Sequence, residues 1–139
     1  MRYVTGQHAL NLKCSLETCG DWHQSAIQWK NPTIRNTDES IFGDYGIEKN
    51  VSIPEHKEKF CVANHIRALL DLLETGMFTL AQGMRDDYIC NGKYTQEIFC
   101  MVTKLQDQAN WKQVDKFMER EYMREWIKYK EGNNDRLAS

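Results

Sequence analysis

The chain has 139 residues, 27% of them charged, and a formal net charge of −2. That is the length of one domain, enough to bury a core without metal or disulfide support, and the charge balance supplies no overall basic field for nucleic acid or an anionic membrane. Mean hydropathy is −0.68, but an aromatic content of 11% is too high for a disordered chain, and no apolar run approaches the roughly 18 residues that cross a bilayer.

No N-terminal leader pattern is legible, so a cytoplasmic protein with no membrane partner is expected. The 5 cysteines are an odd number without the spacing of a stapled secreted domain, so reduced thiols are expected.

In chain order, Arg2–Leu12 carries apolar residues around Gly6 and reads as one or two short strands. Ala26–Trp29 is a short apolar run closed by the turn at Asn31-Pro32. Thr33–Arg35 is a strand fragment, and Ile47–Ile53 alternates, with Ile47, Lys49, Val51 and Ile53 on one face. Ser52-Ile53-Pro54-Glu55 has a capping serine, an early proline and a glutamate three positions on, which predicts a helix from Pro54 to Thr75 stopped by Gly76. Its stripe is Val62, Ile66, Leu69, Leu70 and Leu73.

A short helix is expected over Met77–Gly83. A third is expected from Thr95 to Gln106 and a fourth from Trp111 to about Glu131, ended by Gly132. The expected fold is α+β: a small N-terminal antiparallel sheet packed against a three- to four-helix C-terminal part. It forms one domain over 1–132, with a flexible tail at 133–139.

His8–Trp29 is the stretch densest in reactive side chains. Cys14, Cys19 and His23 are zinc-type ligands, with His8, Cys61 and His65 as further donors, but the spacing completes no standard knuckle. Cys61 and His65 would share one helix face. Cys19, Asp21 and His23 are too close in sequence to orient one another as a catalytic set, and no other catalytic set is complete, so enzymatic activity is not expected. Lys112, Lys116, Arg120, Arg124 and Lys128 recur along the last helix and could meet phosphates. The interleaved Asp115, Glu119, Glu121 and Glu125 fit an ordinary solvated face better.

Trp22, His23, Trp29, Asp44 and Tyr45 lie in the irregular half beside acidic residues and form the expected partner-binding surface. GQHALNLKCSLETCGDWHQSAIQWKNPTI, with SIFGDYGIE at Ser40–Glu48 and VANHIRALLDLLETG at Val62–Gly76, resembles small proteins of gut-dwelling Gram-positive bacteria and their mobile elements. The resemblance implies an accessory role, such as neutralising a toxin or interfering with a defence system, and carries no site residues. The expectation is a protein-binding accessory protein, antitoxin-like or an inhibitor. A zinc-supported module and a nucleic-acid-associated protein are the alternatives.

Overall fold

The computed structural model describes residues 1–20 and 28–138, with side-chain surroundings as far as residue 132. Strands β1 (Arg2–Val4), β2 (Ile34–Asn36), β3 (Ile47–Val51) and β4 (Phe60–Ala63) form a sheet in the order β2-β1-β4-β3. The two outer pairs are antiparallel, but the central pair β1/β4 is parallel, with Val4 opposite Val62. The sheet is therefore mixed where an antiparallel one was expected. The fold class is α+β as read from the sequence.

The second half of the Arg2–Leu12 segment is not a strand. It turns at Gly6 into the short helix α1 (Gly6–Leu10). The long expected helix also starts later than Pro54. Helix α2 runs from His65 to Glu74, capped by the Asn64 side chain, which accepts the Arg67 N–H. The local capping signal at Ser52 loses because Phe60–Ala63 is needed as a central strand between β1 and β3. Burying Val62 and Ala63 there outweighs a cap worth about 1 kcal/mol. Glu55 is used elsewhere and accepts the Trp29 N–H at 3.0 Å.

Helix α2 is the packing centre. Ile66, Ala68, Leu69, Leu70 and Leu73 are fully buried. Its contacts include α1, the short α3 (Phe78–Ala81) and α4 (Thr95–Val102). Between α3 and α4 the chain makes a single wide π-type turn, Met84–Ile89, ending at Cys90 in a left-handed conformation (φ 47°).

The expected fourth helix is two helices. Trp111–Tyr122 is α5, Met123 has φ 53°, and Arg124–Ala138 is α6. No glycine or proline marks the break. α6 folds back on α5 so that Trp126 is fully buried against Phe99, Trp111 and Tyr129, and its indole N–H donates to Asp115 at 2.8 Å. Burying a tryptophan removes 150–250 Å² of mostly apolar surface from water, which outweighs one strained backbone residue at about 1–3 kcal/mol. Gly132 does not stop α6, so the expected tail is its continuation. No helix among the described residues is long and apolar enough to cross a membrane.

Candidate thiol site

The loop from Asn11 to Gly20 has no regular structure beyond its first turn, and the fold holds it down from several sides. The Ser15 N–H and hydroxyl both donate to Glu48, at 2.9 and 2.7 Å. The Glu17 N–H donates to the Tyr94 hydroxyl, and the Asn91 amide donates to the Glu17 carbonyl, each at 2.9 Å. The Gly20 N–H donates to the Tyr88 carbonyl at 2.9 Å. Cys19 and Cys90 then form a disulfide that joins this loop to the helical half across 71 residues of sequence.

The expectation of all-reduced thiols is thus corrected. The reason is tertiary: only the packing of the loop against the Cys90 turn brings the two α-carbons within 6.0 Å, the reach of a disulfide. Both half-cystines are exposed. Cys14, Cys61 and Cys100 are free thiols.

Cys14 and His65, 51 positions apart in sequence, meet at the N-terminus of α2. His65 is the first residue of that helix and is buried. Its Nε2–H donates to the Leu12 carbonyl at 2.6 Å, and its Nδ1 faces the Thr18 hydroxyl at 2.6 Å. Thr18 Oγ1 lies 3.6 Å from Cys14 Sγ. The Leu12 carbonyl fixes the tautomer, because it can only accept, so Nε2 must carry a proton. In the neutral state Nδ1 then accepts from Thr18, and Thr18 can accept from the Cys14 thiol. In the charged state each bond reverses: the imidazolium Nδ1–H donates to Thr18, and Thr18 donates to the thiolate. A proton can move from sulfur to imidazole through one hydroxyl without any heavy atom moving.

Electrostatics move both groups toward the charged state. Burial works against the Cys14 thiolate, but hydrogen bonds from the imidazole and backbone of His65, its charge and the Thr18 hydroxyl hold the thiol below its ordinary value of 9.0. Burial likewise works against a charged His65. The bond to Cys14, the Leu12 carbonyl and the charges of Cys14 and Glu48 outweigh it and hold the imidazole above 6.5. A backbone N–H in the first turn of a helix is a free donor with a partial positive charge, which is the setting that activates cysteines. Cys14 is half-buried rather than sealed in the core.

Gly20 closes the corner. Its φ is +68°, and a Cβ there would sit 2.6 Å from His65 Cε1 and 2.7 Å from the Leu10 carbonyl oxygen. Only glycine lets the backbone pass this close between the imidazole and the disulfide.

The other sequence-predicted residues are placed differently. With Cys19 bonded to Cys90, zinc on Cys14, Cys19 and His23 would need that bond reduced first. His23, like Trp22 and Asp21, lies outside the described residues. Among the described residues no cluster of three or more His, Cys, Asp or Glu is arranged to hold a metal ion. His8 has both ring nitrogens engaged, Nδ1 accepting the Thr33 N–H at 3.1 Å and Nε2–H donating to the Gln28 carbonyl at 3.0 Å. Cys61 lies on β4, so it does not share a helix face with His65.

Of the expected partner surface, Trp29 is only 8% exposed and packs edge-on against His8. Tyr45 is half-buried and its hydroxyl donates to Glu97. Asp44 is exposed. The basic stripe is divided by the α5/α6 reversal: Lys112, Lys116 and Arg120 fall on α5, and Arg124 and Lys128 on α6. Thr18 and Cys90 carried no signal in the sequence that separated them from other polar loop residues and thiols. No protein-family model, no curated protein and no solved structure matches this chain.

Proposed function

We propose that this protein carries out thiol–disulfide exchange, with Cys14 as the reactive thiolate and Cys19–Cys90 as the exchangeable disulfide beside it. The observation that carries the reading is the Cys14–Thr18–His65 chain at the N-terminus of α2, next to a disulfide whose two halves are exposed. Exchange needs a thiolate near ambient pH and a disulfide open to attack. An exposed disulfide is of the labile kind, where buried structural ones resist reduction.

The test is the rate at which Cys14 is alkylated by iodoacetamide, read by peptide mass with the disulfide intact. At neutral pH Cys14 should react about tenfold faster than Cys100, as expected for a thiol held below its ordinary value. Its rate should hold to lower pH in the parent than in His65→Gln. Equal rates at Cys14 and Cys100, or an unchanged profile in His65→Gln, would sink the reading.

Contact with another protein is the second reading, in the accessory, antitoxin-like sense that the resemblance implies. It is favoured by exposed apolar side chains at the C-terminal end of α2. Ile41 is 53% and Met77 48% exposed, and the Ile41 N–H is tied to Glu74 at 2.9 Å. Asp44 supplies a charge in the same turn. Alanine at Ile41, Asp44 and Met77 together should abolish co-purification of a partner from the native host. Retention of every partner by the folded triple variant would remove this surface.

A further inference from the structure

Cys90 is an exposed residue, but it does not face featureless solvent. A cleft of about 360 Å³ lies against it, walled by Arg85, Asp86, Thr95, Tyr122 and Glu125 among others. That volume falls at the small end of ligand clefts, about 300–1,000 Å³, and suits a molecule of amino-acid size.

The wall has a specific chemistry. Arg85 offers a guanidinium, already paired with Asp86 at 2.9 Å on one side. Glu125, exposed at the start of α6, is a second carboxylate on the wall; its charge reaches Arg85, but the two form no ion pair at contact distance among the described residues. Tyr122 is only 1% exposed, and its hydroxyl has no hydrogen-bond partner among the described residues. Tyr122 lines the cleft beside Arg85, Asp86 and Glu125. A buried hydroxyl left unpaired is unfavourable, and a polar ligand atom would relieve it.

Glu121 of α5 lies beside the turn that carries Arg85: burial lifts its carboxyl above the ordinary value, against the lowering effect of the nearby backbone of Arg85, Gly83 and Met84.

We infer that this cleft seats a low-molecular-weight thiol bearing an α-ammonium and a carboxylate, and delivers its sulfur to Cys90. The guanidinium of Arg85 takes the carboxylate and Glu125 takes the ammonium. The inference rests on the exchange reading and names the small partner of that chemistry. In the step, the ligand thiolate attacks Cys90 Sγ, the Cys19–Cys90 bond breaks, and a ligand–Cys90 disulfide forms. The electron pair leaves on Cys19 as thiolate, so the ligand sulfur is oxidised and Cys19 reduced with no other reactant. The departing thiolate is one residue from Gly20, whose backbone lies against the His65 imidazole.

The experiment follows formation of the mixed disulfide by intact and peptide mass, using the full chain with its disulfide intact. The probes are L-cysteine, cysteamine, N-acetylcysteine and β-mercaptoethanol, each rate divided by its rate on a small model disulfide. L-cysteine should lead β-mercaptoethanol about tenfold after this correction, about 1.4 kcal/mol, with the adduct on Cys90. Glu125→Gln should erase most of the advantage of the ammonium-bearing probes, and Arg85→Gln that of the carboxylate-bearing ones, without changing β-mercaptoethanol. Equal corrected rates for all four thiols, an adduct on Cys19, or a preference that survives both substitutions would overturn the inference. Cys14→Ser separates the two claims: it leaves the cleft's preference intact, whereas an unreactive Cys14 counts against the exchange reading alone.

Discussion

Helix α2 carries two clusters of ionisable side chains, and they differ in every respect except the helix. Along its body, Asp71 Oδ2 accepts from the hydroxyls of Tyr3 and Thr5 at 2.7 and 2.6 Å, and Oδ1 accepts from Arg35 and Arg67 at 2.8 and 2.9 Å. Arg67 gives three further N–H groups to the carbonyls of Gly43 and Tyr45 and to the Tyr3 hydroxyl. Arg35 also pairs with Glu74 at 2.8 Å. Arg67, Asp71 and Tyr3 are all buried, and the bonds run between partners fixed by sheet and helix. At the N-terminus of the same helix, His65 and Thr18 serve one half-buried thiol through a chain whose protons can run either way. The first cluster has spent its hydrogen-bonding capacity on itself and can only hold the fold. The second keeps a nucleophile with one side open. Saturation and access, rather than the kind of residue, separate a structural network from a chemical site.

The comparison can be broken first at its structural pole. Arg67→Ala leaves Asp71 and two backbone carbonyls short of a partner, and should cost about 3–5 kcal/mol in denaturant unfolding. The alkylation rate of Cys14 should stay unchanged in the variant wherever it is folded. A loss near zero would mean the network is ornamental.

Cys90→Ser opens a loop of 71 residues and should cost about 2–4 kcal/mol by the same measurement. If the loop instead unfolds alone, hydrogen exchange will rise at Cys14–Gly20 without a global shift. That result would place the thiol corner outside the cooperative core.

Glu74 sharpens the contrast through pH. Burial raises its carboxyl, but the Ile41 N–H, Arg35 and Ser40 outweigh this and hold it below the ordinary 4.5. A carboxyl lowered on folding adds stability above its unfolded value and loses it as pH falls through the folded one. Glu74→Gln should therefore cost about 1–3 kcal/mol at neutral pH, and its stability should fall less steeply than the parent's below pH 4.5. An identical acid slope in both proteins would assign the acid sensitivity elsewhere.

The smallest stability effect belongs to the chemical pole. Thr18→Val removes the bridging hydroxyl from a half-buried loop position and should cost about 1 kcal/mol or less. It should still slow Cys14 alkylation several-fold. If the rate is untouched, the direct contact between Cys14 and His65 suffices and the hydroxyl is a bystander.

Much of the scaffold of this comparison was readable in the chain. The apolar stripe Ile66, Leu69, Leu70 and Leu73 placed α2, and the alternation from Ile47 placed β3. The helix expected over Thr95–Gln106 is found as α4 and the turn Thr103–Leu105 that follows it, because these signals are local and periodic. Ser52-Ile53-Pro54-Glu55 misled for the same reason: it is a valid local cap that the central strand β4 overrode. Met123 gave no warning, since its positive φ serves the packing of Trp126 against Phe99, two residues that are neighbours only in space.

The candidate site was legible as ingredients and not as an arrangement. His65 was matched to Cys61 because four residues make one helical turn, but Cys61 is in a strand. Cys14 was grouped with Cys19 and His23 because they are near in sequence, but its partner lies on another element.

By itself, then, the sequence determined the class of the fold, the buried faces of its longer elements and the fact that reactive side chains crowd the His8–Trp29 region. Hydrophobic periodicity is a property of each segment and survives without its neighbours. Tertiary structure alone decided that β1 and β4 run parallel, that Cys19 bonds Cys90, and that Cys14 faces His65. Each of these depends on distances between segments dozens of residues apart, which no local pattern encodes.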